Sequence, residues 1–240
     1  MRRCVVALVV TIGAALTLAA PSFSKGVSQM RRRALYLGVL GVLGLSLTTG
    51  ALAATGPVVP ASGKVAGKGY AYYLKRLQLI AIATDGRIPS CSTVNVGGQK
   101  VAMLNPPGGG RTVTCNEPAG RAIYVAVLSN TCSTQQGFHQ GFGTSDTDLM
   151  KCAKAIPTGV TPSAALDGHP VNLPALLTAT GVFSVPKTPG GSTPTPRAAA
   201  YGVGLLLSGL SNGTHTIQTN VKAPGAPPSA GKSTIEVHVV

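Results

Sequence analysis

The sequence contains no tryptophan, and aromatic residues make up only 4% of its 240 residues. The core must therefore be filled by Val, Leu, Ile and Ala. Acidic residues are also scarce, with six Asp and Glu against twenty Lys and Arg. Glycoside-type chemistry needs two carboxyl groups held near each other. Only Asp146 and Asp148 are close in sequence, and we interpret both as helix-capping residues after Ser145.

Motifs that would identify an enzyme or a metal centre are missing as well. No Gly-x-Ser-x-Gly elbow occurs, so no serine is marked as a nucleophile. The glycine-rich stretch 105–110 lacks the Lys-Ser/Thr and the following helix of a phosphate-binding loop. The cysteines contain no Cys-x-x-Cys pair, which argues against a zinc site. We predict no catalytic residue, no metal and no cofactor, although an enzyme is not excluded.

The positive charge of +14 is spread unevenly along the chain. Six of the twenty basic residues precede Ala54, so the remainder carries fourteen Lys and Arg against six acids, a net charge of +8. Apart from Lys75-Arg76, these cations are scattered singly, whereas nucleic-acid binders cluster them along one face. We therefore predict no nucleic-acid partner and a solvated surface. Weak attraction to an anionic component of the cell envelope remains open.

Two leader-like segments begin the chain. Residues 30–53 have the layout of a secretory signal peptide, with three arginines, an apolar run and a small-residue site before Ala54. Residues 1–29 repeat this design, and we interpret them as a mis-annotated start or extra leader, with translation beginning at Met30. The alternative is a retained N-terminal membrane anchor. Cleavage before Ala54 predicts a secreted or envelope-associated product that meets the membrane only through an uncleaved leader.

The stretch from Cys115 to Cys132 organises the predicted fold. It contains residues 122–128, the longest uncharged β-prone run outside the leaders, which predicts a central strand buried on both faces. Glycine and proline number 31 and 18, a content that favours many short strands. We predict an all-β protein with minor α content: a single disulfide-braced sandwich, Ig-like or jelly-roll-like, over 70–240. Residues 54–69 are predicted to form a flexible tail.

Two helices are expected beside the sheets. Residues 70–83 have apolar side chains near i, i+3, i+4 and i+7, which predicts an amphipathic helix. Its Tyr72 and Tyr73 either dock the helix on the sheet or stack on a sugar ring or another protein. A second, short helix is predicted near 146–155.

Four cysteines follow Ala54, and in an exported chain an even number predicts disulfides. Four cysteines allow three pairings. We choose Cys91–Cys115 and Cys132–Cys152, which are neighbours in the sequence. Each pair closes a loop of twenty-odd residues and contributes about 3 kcal/mol in the chain-entropy model.

Histidines are the remaining candidates for chemistry. His139 lies in a glycine-rich loop seven residues before Asp146, and a His with an acid and a serine can form a hydrolytic relay. His215 begins a predicted strand, where it either bonds across the sheet or faces a ligand. Together with the two tyrosines, the candidate binding residues are His215, His139, Tyr72 and Tyr73.

Three segments occur in one order along the chain: Cys115-Asn-Glu-Pro-Ala-Gly-Arg-Ala122, Asn130-Thr-Cys132 and Gly213-Thr-His-Thr-Ile217. From about Tyr70 to Val240 this pattern resembles an uncharacterised family of secreted bacterial proteins with β-rich folds. The resemblance implies an export-dependent β-sandwich, and it singles out His215 as the first polar position to mutate. The family carries tryptophan in its first helix and around its first strands, where this chain has Tyr72, Tyr73 and Ala102-Met103.

These observations lead to two hypotheses of different class. The first is a non-enzymatic binding or cell-envelope-associated β-sandwich module. The alternative is an extracytoplasmic hydrolase that uses His139 or His215 with an acidic partner such as Asp146.

Overall fold

The computed structural model describes residues 57–84, 86–134, 141–186 and 195–240. The leaders 1–29 and 30–53 lie outside these ranges, as does His139, so the predictions made for them stay predictions. The described part contains α1 (Tyr70–Ala83), α2 (Asp146–Lys154) and a 3-10 helix (Leu173–Leu176). Its strands are β1 (Cys91–Val96), β2 (Gln99–Leu104), β3 (Arg111–Glu117), β4 (Ala122–Ser133), β5 (Gly141–Phe142), β6 (Thr161–Leu166), β7 (His169–Pro170), β8 (Thr178–Ser184), β9 (Arg197–Leu207), β10 (Gly213–Lys222) and β11 (Lys232–Val239).

These strands form two sheets. The first has the order β1-β2-β4-β9-β8, with β5 beside the end of β4, and the second has the order β3-β11-β10-β6-β7. Strands β2–β4, β4–β5 and β3–β11 pair in parallel, and the other neighbours are antiparallel. Buried aliphatic side chains of both sheets form the core, among them Leu205, Leu207, Ile217, Ile235 and Val237. The prediction of an all-β, disulfide-braced fold with two helices is confirmed.

Strand β4 lies in the middle of the first sheet, and every one of its residues is buried or half-buried. It extends to Ser133, five residues beyond the apolar run that predicted it. The buried polar side chains of this extension have hydrogen-bond partners in other elements. Gln78 of α1 donates to Ser129 Oγ over 3.0 Å and accepts from Thr131 Oγ1 over 2.6 Å. Asn130 Nδ2 donates to the carbonyl oxygen of Cys152 at 3.0 Å. Such pairing removes most of the penalty for burying polar groups.

Helix α1 covers the outer face of the first sheet. The Tyr73 ring stacks on Tyr124 of β4, with 5.8 Å between centroids. The apolar residues whose i, i+3, i+4 and i+7 spacing predicted this helix therefore lie on its sheet-facing side. No helix among the residues that the structure describes is long and apolar enough to cross a membrane.

The segment predicted as a flexible tail contacts the sheet from Pro57 onward. The Val59 N–H donates to the Leu206 carbonyl at 2.8 Å, and Val59 and Val65 are buried. The hydroxyl of Tyr73 donates to the Val65 carbonyl at 2.8 Å. These anchors come from another element, so the Gly- and Pro-rich segment alone did not indicate them.

Both predicted disulfides are present. Cys91–Cys115 joins β1 and β3, the edge strands of the two sheets, across a Cα–Cα distance of 5.8 Å. Cys132–Cys152 joins β4 to α2 across 6.0 Å. The first bond closes one side of the sandwich, and the second fixes α2 against the long central strand.

Within the described residues, no helix covers the outer face of the second sheet. Alternate residues of its strands point away from the core, and all of them are exposed or half-buried. We call this surface the polar face. Its residues are Thr112, Thr114, Asn116, Thr161, Ser163, Ala165, Thr214, Thr216, Gln218, Asn220, Lys222, Lys232, Thr234, Glu236 and His238.

Candidate functional site

A depression of about 430 Å³ lies on the polar face, where β11, β10 and β6 run side by side. Two rows of the sheet register form it. One row carries Lys232, Asn220 and Ser163, and the next carries Thr234, Gln218, Ala165 and Pro170. Backbone and side-chain atoms of the intervening residues Ala164, Thr219 and Ser233 complete the lining. The short side chains on β6 leave room beside the longer ones on β10 and β11.

More of the lining surface is apolar than polar, and its polar groups offer both donors and acceptors. It provides hydroxyls, two side-chain amides and one ammonium group. Asn220 Oδ1 is buried yet has no hydrogen-bond partner within the described residues. Leaving a buried acceptor unpaired costs about 1–3 kcal/mol. The oxygen is closed off from solvent, so a ligand in the depression contacts the other polar groups of the lining.

The electrostatics of the depression favour an anion. Lys232 lines it, and Lys222 projects from the same half of the polar face. No carboxylate is among the lining residues. Glu236 lies in the row beyond Thr234, as Lys222 lies in the row beyond Asn220 on the other side of the depression. Glu236 Oε2 accepts from Thr114 Oγ1 at 3.5 Å.

A second group of side chains lies where the β6–β7 turn meets the start of β10. Asp167 and Gly168 have φ values of +51° and +78°, as a two-residue type I′ turn requires. Asp167 Oδ2 is 2.7 Å from His215 Nδ1, and Asp167 Oδ1 accepts from the Thr216 N–H at 2.7 Å. His215 Nε2 is 3.0 Å from the Ser211 carbonyl and 3.4 Å from Ser211 Oγ. We call Asp167, Ser211 and His215 the turn cluster.

Charge stabilises the turn cluster. The hydrogen bond that His215 donates to Asp167 raises the pKa of His215 above its ordinary value, against the opposing effect of burial. Burial alone would raise the pKa of Asp167, but the hydrogen bonds from His215 and the Thr216 N–H outweigh it, so that pKa is lowered. Both shifts favour a charged pair, in which both ring nitrogens of His215 donate.

The turn cluster has the connectivity of a Ser-His-Asp relay but not its hydrogen bonding. In a relay, the imidazole accepts the serine proton through Nε2. Here Nε2 lies closer to the carbonyl of Ser211 than to its hydroxyl, as suits a donating N–H. The residues that line the depression do not include the cluster. The contacts therefore fasten the turn to β10 rather than prepare a nucleophile.

Among the predicted site residues that the structure describes, Tyr72 and Tyr73 contact each other, with 5.5 Å between ring centroids, and His215 lies apart from them. Tyr73 is fully buried under α1, and this burial raises its pKa to about 12. Tyr72 is half-buried beside Lys68, whose Nζ lies 5.5 Å from the ring. His215 belongs to the other sheet, where its acidic partner is Asp167. Asp146 is not the partner of His215, because it contacts the Arg197 guanidinium. Its pairing with His139, which lies outside the described residues, stays a prediction.

Sequence reasoning missed the residues of the depression. Its lining comes from β6, β7, β10 and β11, and only their pairing makes one surface from them. The alternation of polar residues along 214–222 was the available signal. It indicates a solvent-facing strand side but does not show which neighbours share it.

No family model matches the sequence, and no curated protein matches it either. Among solved structures, Amebosin is 19% identical, with a TM-score of 0.23, over 57% of this chain and 96% of that chain. The cysteine protease inhibitor EhICP2 from Entamoeba histolytica is 13% identical, with a TM-score of 0.22, over 57% of this chain and 93% of that chain. Likenesses this weak contribute nothing to the functional argument.

Proposed function

We propose that the protein is an exported, non-enzymatic binding module of the cell envelope, which binds its ligand in the depression on the polar face. The observation that carries this proposal is the depression itself, in which two register rows bring together seven outward-facing side chains, five of them with hydrogen-bonding groups. A site of this volume is in the range of small-ligand pockets.

Three features support export and envelope association. Disulfides persist in oxidising compartments outside the cytoplasm, and this domain has two. The leader at 30–53 has the layout of a signal peptide. The net positive charge of the remainder favours association with anionic envelope material.

The test is to block the depression. Ala165 lies half-buried between Gln218 and Pro170 in the register, so Ala165→Trp covers the lining without entering the core. Asn116→Trp adds the same side chain on the same face, outside the depression. Purified disulfide-bonded protein is sedimented with envelope fragments of the producing organism. We expect the wild type and Asn116→Trp to sediment with the fragments and Ala165→Trp to remain in solution.

The result that contradicts the proposal is equal sedimentation of Ala165→Trp and the wild type. Circular dichroism and thermal melting of both variants confirm that each is folded before the comparison is made.

The connectivity of Asp167, His215 and Ser211 defines one second candidate, a hydrolase, although a donating His215 Nε2 does not suit a relay. Purified protein is assayed for p-nitrophenyl acetate hydrolysis beside Ser211→Ala and His215→Ala. For a binding module, the rates of all three proteins equal the buffer rate within error. Wild-type turnover that both substitutions abolish would instead support the hydrolase. His139→Ala is assayed in the same way. If it is the one variant that loses turnover, the result supports a hydrolase that uses His139.

A further inference from the structure

We infer that the ligand of the depression is an acidic saccharide: a sugar whose hydroxyls meet the amides and hydroxyls of the lining and whose anionic group meets Lys232. This inference rests on the proposed function, because it names the ligand class of the same site. The anionic group is a carboxylate or a phosphate, which share the chemistry that an ammonium group recognises.

The neutral part of the lining fits a sugar. Ser163, Thr234 and Gln218 can each donate and accept, as sugar hydroxyls do. The apolar lining is limited to alanine and proline, without an aromatic or long aliphatic side chain. A peptide with apolar anchors or a lipid chain therefore finds no complementary pocket.

The charged part of the lining selects for an anion. Within the described ranges, Lys232 makes no ion pair, and no acid lines the depression beside it. Lys222 adds positive potential from the same half of the face. A neutral sugar leaves this ammonium group without a counter-charge, whereas a uronic acid or a sugar phosphate supplies one.

The sheet register gives the ligand a direction. Lys232 lies opposite Asn220 on β10, and Ser163 lies opposite Asn220 on β6. The second row runs parallel to this one, about 7 Å further along the strands, and three strands span about 10 Å. The anionic group is placed at the β11 end of the first row. The ring then lies over the short side chains of β6.

The experiment uses three saccharides and NMR titration of the ¹⁵N-labelled disulfide-bonded protein at low salt. Trigalacturonate is compared with its methyl ester, which keeps every ring and hydroxyl but removes the charge. Galactose 6-phosphate tests phosphate as the source of the anion. We expect shifts at the Ser163, Gln218 and Thr234 amides. Trigalacturonate or galactose 6-phosphate should bind about fivefold more tightly than the neutral methyl ester, as a partly exposed ion pair allows.

Two matched variants separate a site from general attraction. Lys232→Gln should lower the affinity for trigalacturonate to that for the ester. Lys100→Gln removes one exposed charge from the first sheet and should leave both affinities unchanged. An equal loss in both variants would mean non-specific attraction and would overturn the inference.

The remaining outcomes distinguish the inference from the proposed function. Equal affinity for ester and acid, or no shifts at the depression with any saccharide, overturns the acidic-saccharide class. In either case the binding module stands if Ala165→Trp still abolishes envelope sedimentation. If Ala165→Trp sediments like the wild type, the proposed function itself fails.

Discussion

The two sheets of this domain are covered differently, although both contribute to one core. The first has α1 on its outer face, and its central strand is buried or half-buried throughout, with the hydroxyls of Ser129 and Thr131 paired to Gln78. The second alternates buried aliphatic residues with outward hydroxyls, amides and charges. Substitutions on the first sheet should therefore change the free energy of unfolding, whereas those on the polar face should change binding.

The largest expected contrast comes from a core truncation. Leu206 of β9 is fully buried beneath α1, so Leu206→Ala should lower the free energy of unfolding by about 2–5 kcal/mol. Thr112→Ala, on the exposed side of β3, should change it by less than about 0.5 kcal/mol. Urea unfolding monitored by circular dichroism measures both. Equal losses would show that the outer faces of the sheets do not differ as described.

The disulfide between β4 and α2 extends the comparison to the end of the first sheet. The double variant Cys132→Ala/Cys152→Ala should lose about 2–4 kcal/mol, because the closed loop constrains the unfolded chain. Cys91→Ala/Cys115→Ala serves as the matched pair for the bond between the sheets. An unchanged urea midpoint in the first variant would contradict this expectation.

The paired polar residues under α1 give the third test. Gln78→Leu keeps a side chain of similar size but leaves the Ser129 and Thr131 hydroxyls without their partner. Burying unpaired hydroxyls should cost about 1–3 kcal/mol. Gln218→Leu, the same change on the polar face, should cost much less. Thermal melts of the two variants compare them directly.

The smallest effect concerns pH and the turn cluster. The His215 pKa is raised, so its contribution is fully present below the ordinary value of 6.5 and is lost as pH rises through the folded pKa. The Asp167 pKa is lowered, so its contribution is present above 3.8 and is lost as pH falls through the folded pKa. Stability from the pair should peak between these limits and amount to less than about 1 kcal/mol, because solvent screens it.

Melting temperatures from pH 3 to 9 for wild type and His215→Gln test this dependence. The difference between them should shrink as pH rises above the histidine range. A difference that grows toward pH 9 would show that the neutral imidazole, not the cation, holds the turn.

Local signals accounted for most elements of the fold. Helix α1 begins and ends where its apolar spacing predicts, and the Asp167-Gly168 hairpin and both disulfides follow from short-range patterns. The contacts that the sequence did not predict join residues far apart in the chain. Gln78 and Ser129 are 51 residues apart, and Asp167 and His215 are 48 apart, so neither pair leaves a mark in its own segment.

The candidate site was harder to predict for the same reason. Single serine, threonine, asparagine and lysine residues on four strands have no distinguishing motif, and only strand order places them side by side. The histidine and tyrosine candidates have side chains with recognisable chemistry, but Tyr73 is fully buried in the core.

The strand edges have one more consequence. Unpaired backbone at a sheet edge invites another chain to add to it. Here the disulfide Cys91–Cys115 joins the edge strands β1 and β3. The edge strand β7 is two residues long and ends in Pro170, and β8 is interrupted by a bulge between Ala179 and Val182. Crowded copies of this domain outside a cell should accordingly resist growing into fibrils.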